Sequence, residues 1–231
     1  MGLKESGLRG SLRNVSVGID AIPDGVVDNF EDADSDPAGP YEEGETLDTY
    51  YTDVDGSFNR TTTDVIEGDK AVEGNGTADG LISEPGDGLP RYPEEGDKIE
   101  YLIRTPGNVP RYFFNMAFDG TNLSGYELGF NLEFDDAINI RRIDDGTATE
   151  LASSSISASQ NTWYLLEIDP PTTNSSSIDC TVYNVDTEDL SRGSQVADVS
   201  ASDDNYIDQH GVGVRLGASE TGTILDRIRV L

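Results

Sequence analysis

Paired carboxylates are the first chemistry to look for in a chain that carries 45 acidic residues. Two carboxyl groups about 5–5.5 Å apart can run retaining glycoside hydrolysis. Glu67-Gly-Asp69 and Glu133-Phe-Asp135 have the alternate-residue spacing that puts both side chains on one face of a strand. Gly68 is a poor support for a rigid catalytic strand, and in so acidic a chain such pairs arise by chance, so no catalytic residue is assigned. Asp28 and Asp226 are more informative. Alternation sets Asp28 on a face with Val26 and Phe30, and Asp226 with Ile224, Ile228 and Val230. An aspartate on an apolar face needs a partner, which a cation or backbone amides can supply. Tyrosines are the third group. Tyr41, Tyr50, Tyr51, Tyr92 and Tyr112 lie near segments rich in Asp, Asn and Arg, where aromatic rings can stack on sugars; Tyr50, Tyr51, Tyr92 and Tyr112 are taken as the candidates for carbohydrate binding. The single cysteine, Cys180, forms no intrachain disulfide. It sits in Ile178-Asp-Cys-Thr-Val-Tyr183 on the Ile/Val side or opposite it, depending on register, and is expected to be a small strand residue rather than a nucleophile. With His210 as the only histidine, neither a Cys–His pair nor a His-rich metal site is indicated.

The elements that position these residues are short strands between turns. Alternating or continuous apolar runs predict strands at Val26–Phe30, near Asp48–Thr52, within Asp64–Glu73, and at Gly80–Ser83, Asp97–Arg104, Arg111–Phe118 and Gly125–Phe134. Further runs follow at Ala137–Ile143, Thr147–Ala152, Trp163–Asp169, Ser177–Asn184, Gln195–Ser200, Gly211–Gly217 and Thr223–Leu231. Asp135-Asp136 and Asp144-Asp-Gly146 supply turns, and residues 32–60 read as a long loop. So many short strands predict an all-β antiparallel sandwich or barrel.

Residues 1–25 differ from this pattern. Leu3, Leu8, Leu12 and Val15 recur at helical spacing, while Lys4, Arg9 and Arg13 against Glu5 give the first 19 residues a net charge of +2. The rest carries −32, and Pro23-Asp-Gly25 marks the change. We expect an N-terminal docking arm over residues 1–25, with Leu3, Leu8, Arg9, Leu12 and Arg13 as its contacts, and one sandwich domain over residues 26–231. The arm would join a larger assembly and group the chain into a homo-oligomer, a trimer or pentamer.

Composition narrows the setting. The 231 residues carry a net charge of −30, with only three lysines (Lys4, Lys70 and Lys98) among 15 basic residues. Such a surface repels itself at low ionic strength and is screened near molar salt, which points to a halophilic origin. No basic patch exists to meet phosphates, so nucleic acid is not an expected partner. The apolar runs are far shorter than a membrane span, so no membrane insertion is expected. No signal segment opens the chain, so an extracellular position would be reached by another route, such as a virus particle. N-x-S/T sequons stand at Asn14, Asn59, Asn75, Asn122 and Asn174.

Four segments in order carry a resemblance: Asp28-Asn-Phe-Glu-Asp-Ala-Asp34, Val65-Ile-Glu-Gly-Asp-Lys-Ala-Val-Glu73, Asn161-Thr-Trp-Tyr-Leu-Leu-Glu-Ile-Asp169 and Thr223-Ile-Leu-Asp-Arg-Ile-Arg-Val-Leu231. Together they resemble the laminin-G/concanavalin-A-like jelly rolls of extracellular and viral adhesion proteins over residues 26–231. Glu5-Ser-Gly-Leu-Arg-Gly-Ser-Leu-Arg-Asn-Val-Ser16 is similar to the openings of laminin-G-like structural proteins in viruses of halophilic archaea. The resemblance implies a non-enzymatic virion structural or attachment protein, a turret, capsid decoration or tail-fibre component at the virion surface, with a host surface glycan as ligand. The alternative is a secreted carbohydrate-binding module or laminarinase-type hydrolase. Sandwich hydrolases of that type carry E-x-D-x-x-E; here Glu73 follows Asp69 one residue too late, and no glutamate follows Asp135. The family's first and last strands lie side by side and often share a structural Ca²⁺, so Asp28 and Asp226, completed by Glu31, Asp34 and Glu67, are the implied ligands. Trp163 matches the family's core tryptophan.

Overall fold

The computed structural model describes residues 26–28, 30, 47, 51–53, 58–62, 65–66, 71–74, 80–87, 89, 91–105, 111–119, 122–131, 136–188, 190–216 and 223–231. The expected docking arm, residues 1–25, lies outside them, as do Glu31, Asp34, Glu67 and Tyr50. Among the described residues the strands are β1 (Val26–Asp28), β2 (Thr52–Asp53), β3 (Phe58–Thr61), β4 (Ala71–Gly74), β5 (Gly80–Ser83), β6 (Ile99–Arg104), β7 (Arg111–Asp119) and β8 (Ser124–Asn131). The series continues with β9 (Ala137–Asp144), β10 (Thr147–Ser155), β11 (Trp163–Asp169), β12 (Ser177–Val185), β13 (Arg192–Ser202), β14 (Gly211–Leu216) and β15 (Thr223–Val230).

These strands form two antiparallel sheets. One runs β13-β12-β11-β6-β15-β4-β3, with β1 also paired to β15; the other runs β10-β9-β8-β7-β14-β5-β2. Period-2 patterning decides what lies between them. Ile99, Tyr101 and Ile103 of β6, Tyr164, Leu166 and Ile168 of β11, and Ile178, Cys180 and Val182 of β12 line one wall of the main core. Phe114 and Met116 of β7, Tyr126, Leu128 and Phe130 of β8, Ile138 and Ile140 of β9, and Val212 and Val214 of β14 line the other. Each large side chain removed from water contributes roughly 1.5–3 kcal/mol. Cys180 is therefore on the Ile/Val side, 1% exposed, and burial pushes its thiol pKa well up, which leaves it unreactive.

Three expectations change here. Trp163 is only half-buried, and Tyr164 faces the core in its place. Tyr51 is a core residue, 4% exposed with its ring centroid 6.2 Å from that of Phe30, and so presents no face to a sugar. Asp226 does not share a face with both Ile224 and Ile228. In β15, Leu225 pairs with Ile103 and Arg227 with Leu102, which leaves Asp226 as the extra residue of a β-bulge and switches the strand's inward face to Leu225, Ile228 and Val230.

The outer face of the eight-stranded sheet is laced by charge pairs. Glu100, 3% exposed, accepts from Arg227 Nη2 at 3.3 Å and from Arg192 Nη2 at 3.2 Å. Glu167 bonds Lys98 and Arg192. These acids and bases are paired with one another, although Arg227 Nε is buried without a hydrogen-bond partner among the described residues.

Candidate carbohydrate-binding face

The outer face of the seven-stranded sheet is arranged differently. On β8, alternation sends Tyr126, Leu128 and Phe130 inward, so Gly125, Glu127 and Gly129 lie on the opposite side. Cross-strand register then sets a polar row. Asn115 of β7 pairs with Glu127, Glu127 with Arg141 of β9, and Arg141 with Glu150 of β10. In the next row Gly129 stands beside Asn139. Gly129 carries no side chain, and it is buried, as are Gly125 and Glu127.

Glu127 anchors the face. Its side chain is 1% exposed, and Arg215 of β14, 34% exposed, donates Nε to Oε1 at 2.9 Å and Nη2 to Oε2 at 2.8 Å. This two-point pairing fixes both groups in one plane and compensates the buried carboxylate. Beyond Gly129, Asn139 donates Nδ2 to Glu150 Oε2 at 2.9 Å, while its own Oδ1 is buried and meets no hydrogen-bond partner among the described residues. The face thus carries a fixed, partly exposed Arg215 guanidinium and the exposed Glu150 carboxylate, with the Glu127 carboxylate and the Asn139 amide oxygen buried beside them. Such a set can donate to and accept from neighbouring hydroxyl groups.

The residues proposed from sequence fall elsewhere. Of the carbohydrate candidates, Tyr92 lies outside this face, between β5 and β6; it is half-buried, and its hydroxyl bonds Ser83 Oγ at 2.8 Å. Tyr112 is on β7, paired with Phe130 and Leu216, and its side chain is outside what the structure describes. Of the calcium candidates, β1 does lie antiparallel to β15, with Asp28 opposite Ile228. Asp226 is fully buried, and its Oδ2 accepts the backbone amide of Ile66 at 3.1 Å. A backbone amide thus supplies a partner for that carboxylate, and no group of three His, Cys, Asp or Glu side chains suited to a metal occurs among the described residues. Of the five implied Ca²⁺ ligands, Asp226 alone has its side chain among the described residues. Glu67, Asp69, Glu133 and Asp135, the near-matches to a hydrolase motif, lie outside the described residues.

Sequence reasoning missed Glu127, Arg141, Asn139 and Arg215. The signal was present in Gly125-Tyr-Glu-Leu-Gly-Phe-Asn131, whose polar and glycine positions alternate with the apolar ones.

No protein-family model and no curated protein sequence matches the chain. Solved structures do resemble it. A protein of unknown function with a galectin-like fold from Bacillus subtilis superposes with a TM-score of 0.52 at 10% identity, over 78% of this chain and 88% of that one. The fold is a galectin-like, concanavalin-A-like jelly roll. A protein of unknown function from Shewanella oneidensis MR-1 gives a TM-score of 0.50 at 15% identity, over 78% and 76% of the two chains. The exoplasmic/lumenal domain of VIP36, in a Ca²⁺/Man3GlcNAc-bound form, gives 0.50 at 8% identity, over 75% and 82%. At these identities the likeness is one of fold, and function must be argued from the site.

Proposed function

We propose that this jelly roll is a non-enzymatic carbohydrate-binding domain and that the outer face of its seven-stranded sheet is the binding surface. The observation that carries the reading is the buried Glu127 held at two points by Arg215 beside the side-chain-free position Gly129. A guanidinium held in place by a buried carboxylate presents its remaining donors to adjacent hydroxyls without further ordering cost. The sugar-bound form of VIP36, a neighbour in fold, is consistent with a glycan as ligand. The non-enzymatic part rests on other residues. It is supported by the sequence, in which neither Glu67-Gly-Asp69 nor Glu133-Phe-Asp135 is completed to E-x-D-x-x-E.

The wider setting is a surface-exposed part of a virion, attached by the arm over residues 1–25 and grouped as a homo-oligomer. It rests on the acidic composition, the charge reversal at Pro23-Asp-Gly25 and the sequence resemblance. Removing residues 1–22 should leave a folded sandwich that no longer joins its assembly.

A glycan array probed in molar salt tests the binding reading. The wild-type chain should select oligosaccharides and release no reducing sugar from them, and Arg215→Ala should select none. A wild-type chain that binds nothing, or that cleaves what it binds, overturns the proposal.

A further inference from the structure

Five asparagines stand in N-x-S/T sequons, and the structure describes three of them, Asn59, Asn122 and Asn174. A sequon in a folded chain can take an N-linked glycan where a transferase reaches both the asparagine amide and the hydroxyl two residues on. The fold closes two of the three. Asn122 donates Nδ2 to Asp119 Oδ2 at 2.6 Å. The hydroxyl it would need belongs to Ser124, which is 6% exposed; that Oγ donates to the Asn122 carbonyl at 3.2 Å and accepts the Asp145 amide at 3.1 Å. Asn59 lies in β3, with Asn59 opposite Glu73 and Thr61 opposite Ala71, so the backbone of that sequon is laid along β4.

Asn174 is presented differently. It sits in the connection between β11 and β12, where Thr172 and Ser175 exchange backbone hydrogen bonds at 2.7 and 3.1 Å and leave Thr173 and Asn174 at the tip of a tight turn. Thr173, Asn174 and Ser175 are exposed. The turn is braced at its base: Pro170 and Pro171 are buried, and Glu95 accepts the Thr173 amide at 2.7 Å. The nitrogen that would react is loosely engaged, since Asn174 Nδ2 reaches Thr173 Oγ1 at 3.4 Å, the long limit for such a bond. Ser176 supplies the hydroxyl. Its Oγ meets Ser202 Oγ at 2.7 Å in an exposed pair of hydroxyls, either of which can turn to another partner.

We propose that Asn174 is an N-glycosylation site of the folded chain. The donor is an oligosaccharide carried on a polyprenyl phosphate, brought together with the chain by an oligosaccharyltransferase. In the transfer the bond from Asn174 Nδ2 to the sugar C1 forms and the bond from C1 to the carrier's phosphate oxygen breaks. The amide gives up one proton to a base, the polyprenyl phosphate leaves, and nothing is oxidised or reduced. The glycan adds a bulky, solubilising group at the turn between β11 and β12. It uses none of Glu127, Asn139, Glu150 or Arg215, so the inference stands apart from the carbohydrate reading of the sheet face: the domain carries a sugar here whether or not it binds one there.

The test uses the full chain, folded in molar salt. It is incubated with a haloarchaeal oligosaccharyltransferase, shown active on a sequon peptide, and with that enzyme's polyprenyl-phosphate-linked oligosaccharide; intact mass and glycopeptide mapping read the product. The wild-type chain should gain a glycan that maps to Asn174. Asn174→Gln should lose it. Ser176→Ala, which keeps the asparagine and removes the hydroxyl, should lose it too. Asn59→Gln and Asn122→Gln should leave it in place. Unfolding opens sequons rather than closing them, so a misfolded variant cannot mimic the loss. A wild-type chain that gains no glycan, or gains one only at other asparagines, would overturn the proposal. So would a Ser176→Ala chain modified at Asn174 as fully as the wild type.

Discussion

Asp203 accepts four hydrogen bonds. Tyr126 Oη donates to its Oδ1 at 2.5 Å, the Asn205 amide to the same oxygen at 3.1 Å, Arg142 Nη1 to Oδ2 at 2.7 Å, and Asn205 Nδ2 to Oδ2 at 3.4 Å. Burial raises its pKa, but the Tyr126, Asn205 and Arg142 bonds outweigh burial and hold it below the ordinary carboxylate value. Asp144 is lowered chiefly by the Tyr206 hydroxyl and then by Arg142. A carboxyl whose folded pKa is depressed contributes stability that is complete above its unfolded value and is lost as pH falls through the folded one. At fixed molar salt the melting temperature should hold down to about pH 4 and decline below it. Asp203→Ala should cost about 1–3 kcal/mol at neutral pH, because it strands the Tyr126 hydroxyl and Arg142, and should flatten the acid decline. Parallel acid limbs in wild type and variant would show that the network carries no pH dependence. Asp226 is the second residue-scale test. If the Ile66 amide is the partner its burial requires, Asp226→Ala should cost about 1–3 kcal/mol, and Asp226→Asn, which keeps an acceptor, should recover most of it. A melting temperature as low for Asn as for Ala would point back to a cation.

At the scale of elements, β14 is where the seven-stranded sheet is most tightly closed. A Cβ built on Gly213 would overlap the Leu81 carbonyl oxygen of β5, and one on Gly211 would overlap the Phe118 carbonyl oxygen of β7. Both obstacles are backbone. Gly213→Ala should therefore destabilise the fold by about 2–4 kcal/mol and, because β14 carries Arg215, weaken sugar binding with it. Thermal melting within 1 °C or so of wild type would contradict the close packing. Strands of this kind were legible in the sequence where alternation was clean. Gly80–Ser83 and Trp163–Asp169 were placed to the residue, and the Asp145-Gly146 turn, with both residues at positive φ, closes the β9–β10 hairpin as its sequence suggests. Legibility failed where one residue breaks the period. The bulge at Asp226 puts Ile224 out of phase with Ile228, and no propensity marks that insertion. Phe58, Asn59 and Arg60 fall in the stretch that reads as a loop, residues 32–60, because the strand is short and polar, and only pairing with β4 makes it one. The sheet-face site was missed for another reason. Glu127 and Arg215 are 88 positions apart and become a pair only when β8, β7 and β14 are laid side by side.

For the whole molecule, charge is the governing quantity. A net −30 on one sandwich means that lowering ionic strength lengthens the range of self-repulsion, from a Debye length of about 3 Å at 1 M to about 10 Å at 0.1 M. Circular dichroism should show the fold weakening towards about 50 mM salt and recovering near 2 M, and equal stability at both would remove the case for salt adaptation. Sugar binding should tolerate the high-salt limit, because the Glu127–Arg215 pair is mostly shielded from solvent and its hydrogen bonds are short. The central claim is that this pair is where glycan binds. It is tested most directly by isothermal titration, in molar salt, of the array's best oligosaccharide into wild type and Glu127→Gln. Glutamine keeps the size of the side chain but loses the charge that fixes Arg215, so the account predicts an intact fold with binding weakened by about tenfold or more. Equal affinity in a folded Glu127→Gln protein would contradict it.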